Sequence, residues 1–200
     1  MVKKLIHLRI LDRRTHMFDK DFRITGKHAN YWKDLCELAG NVPDRDQHSN
    51  FKIFNAYIDA YVLCPLIGCQ YNRKGVIDNS VDGDAGMLAA VFKERRPQLK
   101  FVYQTLMLLD EESEPNLEKR VYRAFTFTEN TDEEKQFISD NMKIYNSYFL
   151  GGLEVLHEEF VDQCIDEDSY LKQLFDYVRR FDEEQDGDAL KEGIDKYINR

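Results

Sequence analysis

Glu154 and His157 stand three residues apart in LEVLHEEF, a spacing that places a carboxylate and an imidazole on neighbouring turns of a helix. Carboxylate-bridged di-iron bundles use that pair, but they need a second Glu-x-x-His and two further Glu on facing helices. The chain contains no second Glu-x-x-His, so Glu154, His157, Glu158 and Glu159 are expected to form a solvated helix face. The five histidines, His7, His16, His28, His48 and His157, make no i, i+4 metal pair. They are expected to serve as hydrogen-bonding groups.

Two acidic windows approach a calcium loop. In DNSVDGDAGMLA, Asp78, Ser80, Asp82 and Gly83 fill the first, third, fifth and sixth positions, but Ala89 stands where a bidentate Glu must close the coordination sphere. The window from Asp182 fails in the same way at Gly193. Thr25-Gly26-Lys27-His28 matches the end of a phosphate loop, yet Asp21 occupies the place of the upstream glycine. The nucleophile-elbow, zincin and dinucleotide motifs are absent. Cys36, Cys64, Cys69 and Cys164 form no Cys-x-x-Cys pair and read as reduced thiols of a cytoplasmic protein. Neither a cofactor nor a metal site is expected.

The elements that must carry any site are predominantly helical. Forty-two per cent of the residues are hydrophobic, with 13 Phe and 11 Tyr among 200 residues, enough to fill a core. Ten Gly and four Pro are too few for a turn-dense sandwich. No apolar run is long enough to span a membrane. Alternation in IHLRIL (6–11) and in FRIT (22–25) predicts two short strands forming an N-terminal ribbon. Helices are expected from Thr25 to Gly40, from about residue 50 until Pro65 ends or kinks the helix, from about Ala85 onward with a break or kink at Pro97, and over LEKRVYRAFTF. A long helix capped by Thr131 should bend or break at Gly151 and Gly152, and SYLKQLFDYVRRF and ALKEGIDKYIN complete the set. The expected architecture is an all-α, irregular multi-helix bundle of about seven to nine helices with a two-stranded ribbon. It forms a single helical domain over 1–200, with a hint of subdivision near residue 110.

That hint is a charge step. Residues 1–35 carry nine Lys or Arg against four Asp or Glu, whereas 110–200 carry 11 against 25. A chain polarised in this way can attract a polyanion at its basic end. The candidate nucleic-acid-binding residues are Arg9, Arg13, Arg14, Arg23, Lys27, Arg73, Lys74, Arg95 and Arg96.

Strand FRIT, the helix closing at Gly40 and a second helix from residue 50 follow the order of ribbon-helix-helix DNA-binding proteins, which this segment resembles over about 40 of the 200 residues. The resemblance implies a ribbon shared between two subunits, with Arg23 reading bases. The long NVPDRDQHSN link and Asp21 depart from the pattern. Read from its own residues, the same segment makes Tyr31, Trp32, Leu35 and Leu38 core anchors. The leading functional expectation is a non-enzymatic, soluble helical protein that docks as an accessory subunit on a larger protein partner. The alternatives are a nucleic-acid-binding accessory protein and a metal-dependent hydrolase without a marked motif.

Overall fold

The computed structural model describes residues 17–38 and 52–185. Strand β1 (Phe22–Thr25) leads into helix α1 (Lys27–Leu35) and strand β2 (Cys36–Leu38). Then come β3 (Phe54–Ala56), α2 (Tyr57–Gln70), β4 (Asp84–Met87), α3 (Ala89–Leu109), α4 (Leu117–Phe125), α5 (Asp132–Phe160) and α6 (Glu167–Gln185). The described residues are mainly helical, as expected, with six helices and two two-stranded sheets. The expected strand 6–11 and the helix ALKEGIDKYIN lie outside the described residues.

The described residues hold six helices rather than seven to nine, because the expected breaks at Pro97 and at Gly151 and Gly152 do not occur and the last expected helix lies outside them. Pro65 sits inside α2 and cannot bond the carbonyl four residues back, on Tyr61. Tyr145 Oη–H donates to that carbonyl at 2.9 Å instead. Pro97 lies inside α3 on the exposed side. α5 runs unbroken through Gly151 and Gly152, both buried, Gly151 against the Arg73 carbonyl in the loop after α2 and Gly152 against α2 itself. A Cβ on Gly152 would collide with the Cys64 carbonyl, and one on Gly68 with the Tyr148 carbonyl. Glycine on both helices lets the backbones touch, and that packing offsets its poor helix propensity.

The ribbon also differs from expectation. β1 pairs antiparallel with β4, Phe22 opposite Met87 and Thr25 opposite Asp84, so its partner comes from the same chain and from a segment with no strand period. α1 stops at Leu35, and Cys36 to Leu38 turn into β2, which runs parallel to β3. Thr25 does not cap α1; Gly26 stands at the N-cap with φ 72°. Its N–H donates to the Gly83 carbonyl and that of Lys27 to the Asp78 carbonyl, both at 3.0 Å. The loop before β4 thus supplies acceptors for the start of α1.

The chain divides into two compact units, Met1–Leu156 and His157–Arg200. The first is built on aromatic rings. Trp32, fully buried, stacks on Tyr57 with centroids 4.3 Å apart, and Tyr61 lies 4.9 Å from Phe149 and 5.5 Å from Phe92. Trp32 and Leu35 are core residues as anticipated, while Tyr31 is half-buried. α5 begins as expected, with Thr131 Oγ1 accepting from the Glu134 N–H at 3.2 Å and Glu134 reaching back to Thr131, a capping box. In the second unit, Phe160 packs against Tyr170 and Tyr177, and Asp166 caps α6 by accepting from Ser169 N–H at 2.8 Å. No described helix is long and apolar enough to cross a membrane.

Candidate functional site

Every described member of the basic set faces a carboxylate. Arg23 forms a two-pronged ion pair with Asp84 across the β1–β4 ribbon, and Arg96 pairs with Asp19. Arg95 meets Asp59 at 3.0 Å. Asp21, which departs from the ribbon-helix-helix pattern, accepts the Ala89 N–H at 2.8 Å and so caps α3. Arg9, Arg13 and Arg14 lie outside the described residues.

Lys27 and Arg73 converge on Glu154. Its Oε1 accepts from Lys27 Nζ at 3.2 Å and lies 2.9 Å from His28 Nε2, while Oε2 accepts from Arg73 Nε at 2.9 Å. Glu154 and His157 are both buried, which corrects the expected solvated face for these two, while Glu158 is exposed and Glu159 half-buried. Burial alone would raise the Glu154 pKa, but the hydrogen bonds from His28 and Lys27, the Lys27 charge and Arg73 outweigh it and leave it below the ordinary value. For His28, burial dominates and lowers the pKa despite Glu154. The imidazole is therefore neutral at pH 7 and donates through Nε2, and Nδ1 is buried without a hydrogen-bond partner. The cluster ties α1, the loop after α2 and α5 together.

A second buried carboxylate organises the α3–α4 hairpin. The Asp110 side chain is fully enclosed and accepts from Lys74 Nζ at 2.8 Å and from Tyr148 Oη–H at 3.0 Å. Arg123 NH2 lies 3.4 Å away. Burial pushes Asp110 up, and the Lys74, Ser113 and Tyr148 hydrogen bonds more than reverse it, so its pKa falls below the usual value. Arg123 Nε donates to Asn141 Oδ1 at 3.1 Å, and Asn141 Nδ2 donates to Tyr103 Oη at 3.0 Å. Burial raises the Tyr103 pKa to about 12, so its hydroxyl keeps its proton. Arg120 donates to the Glu114 and Pro115 carbonyls, both at 3.1 Å, and to Glu111 Oε1 at 2.8 Å.

These bonds leave α4 inside out. Arg120 and Arg123 are 6% and 7% exposed, while Leu117, Val121 and Phe125 are 60%, 43% and 57% exposed. The three apolar residues are four apart, so they share one face of the helix. Amphipathic helices of a folded domain normally turn that face inward. Asn116 fixes the start of α4 by accepting from the Lys119 N–H, and Tyr103 Oη donates to the Arg123 carbonyl at 3.2 Å.

Comparison with protein-family models, curated proteins and solved structures finds no significant match. Of the candidates named from sequence, the fold brings Lys27 and Arg73 together at Glu154 and sends Lys74 to Asp110. The other described members lie in separate pairs. Sequence reasoning missed the exposed α4 face, although the 4-residue spacing of Leu117, Val121 and Phe125 in LEKRVYRAF was visible. It also missed Glu154 and Asp110 as the buried anions.

Proposed function

We propose that the protein acts by binding rather than by catalysis, docking as an accessory subunit on a larger protein partner through the outward face of α4. One observation carries this reading: α4 buries two arginines and exposes Leu117, Val121 and Phe125. Burying an arginine demands paired carboxylates and carbonyls, and exposing three large apolar side chains forgoes their transfer free energy. A partner covering this face recovers that energy, which is the usual meaning of a contiguous apolar patch.

The four free cysteines accord with the cytoplasmic setting that forms part of this reading. The nucleic-acid alternative draws on Arg9, Arg13 and Arg14 together with residues that already face carboxylates, so a phosphate would have to compete with Asp84, Glu154, Asp110, Asp59 or Asp19. The hydrolase alternative needs a carboxylate cluster, and among the described residues no group of three or more His, Cys, Asp or Glu is placed to hold a metal ion.

Photo-crosslinking in the producing cell tests the docking reading. A benzophenone side chain replacing Val121 or Phe125 in the full chain should give a discrete adduct with one protein, whereas the same probe replacing exposed Lys143 on α5 should not. Equal yields from all three positions, or none from α4, would refute it.

A further inference from the structure

We infer that the partner on α4 is a protein segment of basic amphipathic character, an apolar stripe flanked by Lys or Arg. This rests on the docking reading above and adds the chemistry of the occupant. Residues 110–134 contain nine acidic and three basic residues. Two of those three bases, Arg120 and Arg123, are the ones α4 turns inward. Lys119 is therefore the single base that this segment sends outward. The rotation that uncovers the apolar stripe thus turns two of the segment's three cations inward, onto Glu111 and Asp110.

The acids stay outside. The side chains of Glu111, Glu112 and Asp132 are 75%, 66% and 95% exposed, although each also meets a base, Arg120, Lys74 and Lys135 respectively, and Glu118 is exposed between Leu117 and Val121 on α4 itself. An apolar stripe with an acidic rim favours a partner with the opposite rim, because complementary charge speeds encounter and like charge at contact is costly. Nucleic acids and anionic membrane surfaces carry the wrong sign. A second copy related by a two-fold axis through this face would set one acidic rim against another. The stripe from Leu117 to Phe125 is about 12 Å long at the helical rise, so about two to three turns of a partner helix would cover it.

The test uses the full chain and two fluorescein-labelled 14-residue amphipathic peptides, one of Leu and Lys and one of Leu and Glu, with binding read by fluorescence anisotropy. The Leu/Lys peptide should bind, and the Leu/Glu peptide should not. The double substitution Val121→Ser/Phe125→Ser should weaken binding about tenfold or more, as expected for central apolar anchors. Glu118→Lys should weaken it by about threefold, and raising salt from about 0.05 to 0.3 M should weaken it further, because exposed charges are screened. Melting curves of the variants should match the parent, since none of these residues is buried.

If both peptides bind alike and the double substitution abolishes both, the docking face stands and the basic partner is refuted. If Leu/Lys binding ignores the double substitution, the peptide sits elsewhere and both readings fall. Failure of the Leu/Lys peptide to bind overturns the inference. Concentration-dependent self-association lost in the double variant would also overturn it by making a second copy the occupant.

Discussion

Replacing Asp110 with Ala should lower stability far more than removing an exposed carboxylate, and the structure sets the size. The Asp110 side chain is fully enclosed. Of its two cationic partners, Lys74 keeps Glu112 at 2.8 Å, whereas the Arg123 side chain, 9% exposed, otherwise bonds Asn141 Oδ1 and Met107 Sδ, neither of which is a carboxylate. The loss therefore falls on one stranded guanidinium, a case that costs about 3–5 kcal/mol. For a domain of this length that corresponds to a fall of about 6–20 °C in melting temperature. Asp59→Ala, which breaks the partly exposed Arg95 pair, should cost less than about 1 kcal/mol. Thermal unfolding followed by far-ultraviolet circular dichroism reads both. The double variant Asp110→Ala/Arg123→Met should recover much of the loss, because an apolar side chain of similar length leaves no charge stranded. A loss under about 1 kcal/mol for Asp110→Ala, or a double variant as weak as the sum of the singles, would refute the argument. The pH dependence has a definite sign. Asp110 titrates below its unfolded value, so its contribution is present above about pH 4 and disappears as pH falls through the folded pKa. The gap between parent and Asp110→Ala should narrow in that acid range.

Gly152→Ala should destabilise by about 1–3 kcal/mol or more through overpacking, because the new Cβ meets the Cys64 carbonyl rather than a yielding side chain; an unchanged melting temperature would contradict the α2–α5 contact. His28 is held below its ordinary pKa by burial, with Glu154, Lys27 and Asp78 acting on its charge, so the unfolded chain takes up its proton first as pH falls. Stability measured by urea unfolding should be level in this respect above about pH 7 and decline below about 6.5, and His28→Gln should remove that part of the decline; an undiminished slope in the variant would assign it to other groups.

The helical character was legible in the sequence because most helices carry local signals: Thr131 with Glu134 for α5, and the apolar period through Trp32 and Leu35 for α1. The places where the reading failed depend on distant residues. Pro65 fails to end α2 because Tyr145, 84 residues from the Tyr61 carbonyl in sequence, supplies the missing donor. β4 reads DAGM, a poor strand by propensity, and exists because β1 offers a partner edge and Arg23 reaches across to Asp84. Gly151 and Gly152 look like a break until the Arg73 and Cys64 carbonyls are laid against them. Of the candidate basic residues, sequence supplied the sign of the charge, but their carboxylate partners stand far off along the chain, Glu154 being 127 residues from Lys27 and 81 from Arg73.

The inversion of α4 connects stability to the proposed docking. Arg120 and Arg123 are not tolerated accidents, since between them they bond Glu111, Asp110, Asn141 and two carbonyls. A single Leu or Met in place of Arg123 would fill similar volume without needing an anion, and buried ion pairs replaced in this way are often as stable or more so. The arginines are therefore poorly explained by stability alone. What they do achieve is orientation: with two guanidinium groups committed inward, rotating α4 to hide Leu117, Val121 and Phe125 would break every one of those bonds. The network holds the apolar stripe outward even when nothing covers it. A helix locked in that orientation would offer the proposed partner a preformed surface, so little ordering would be left to complete on binding.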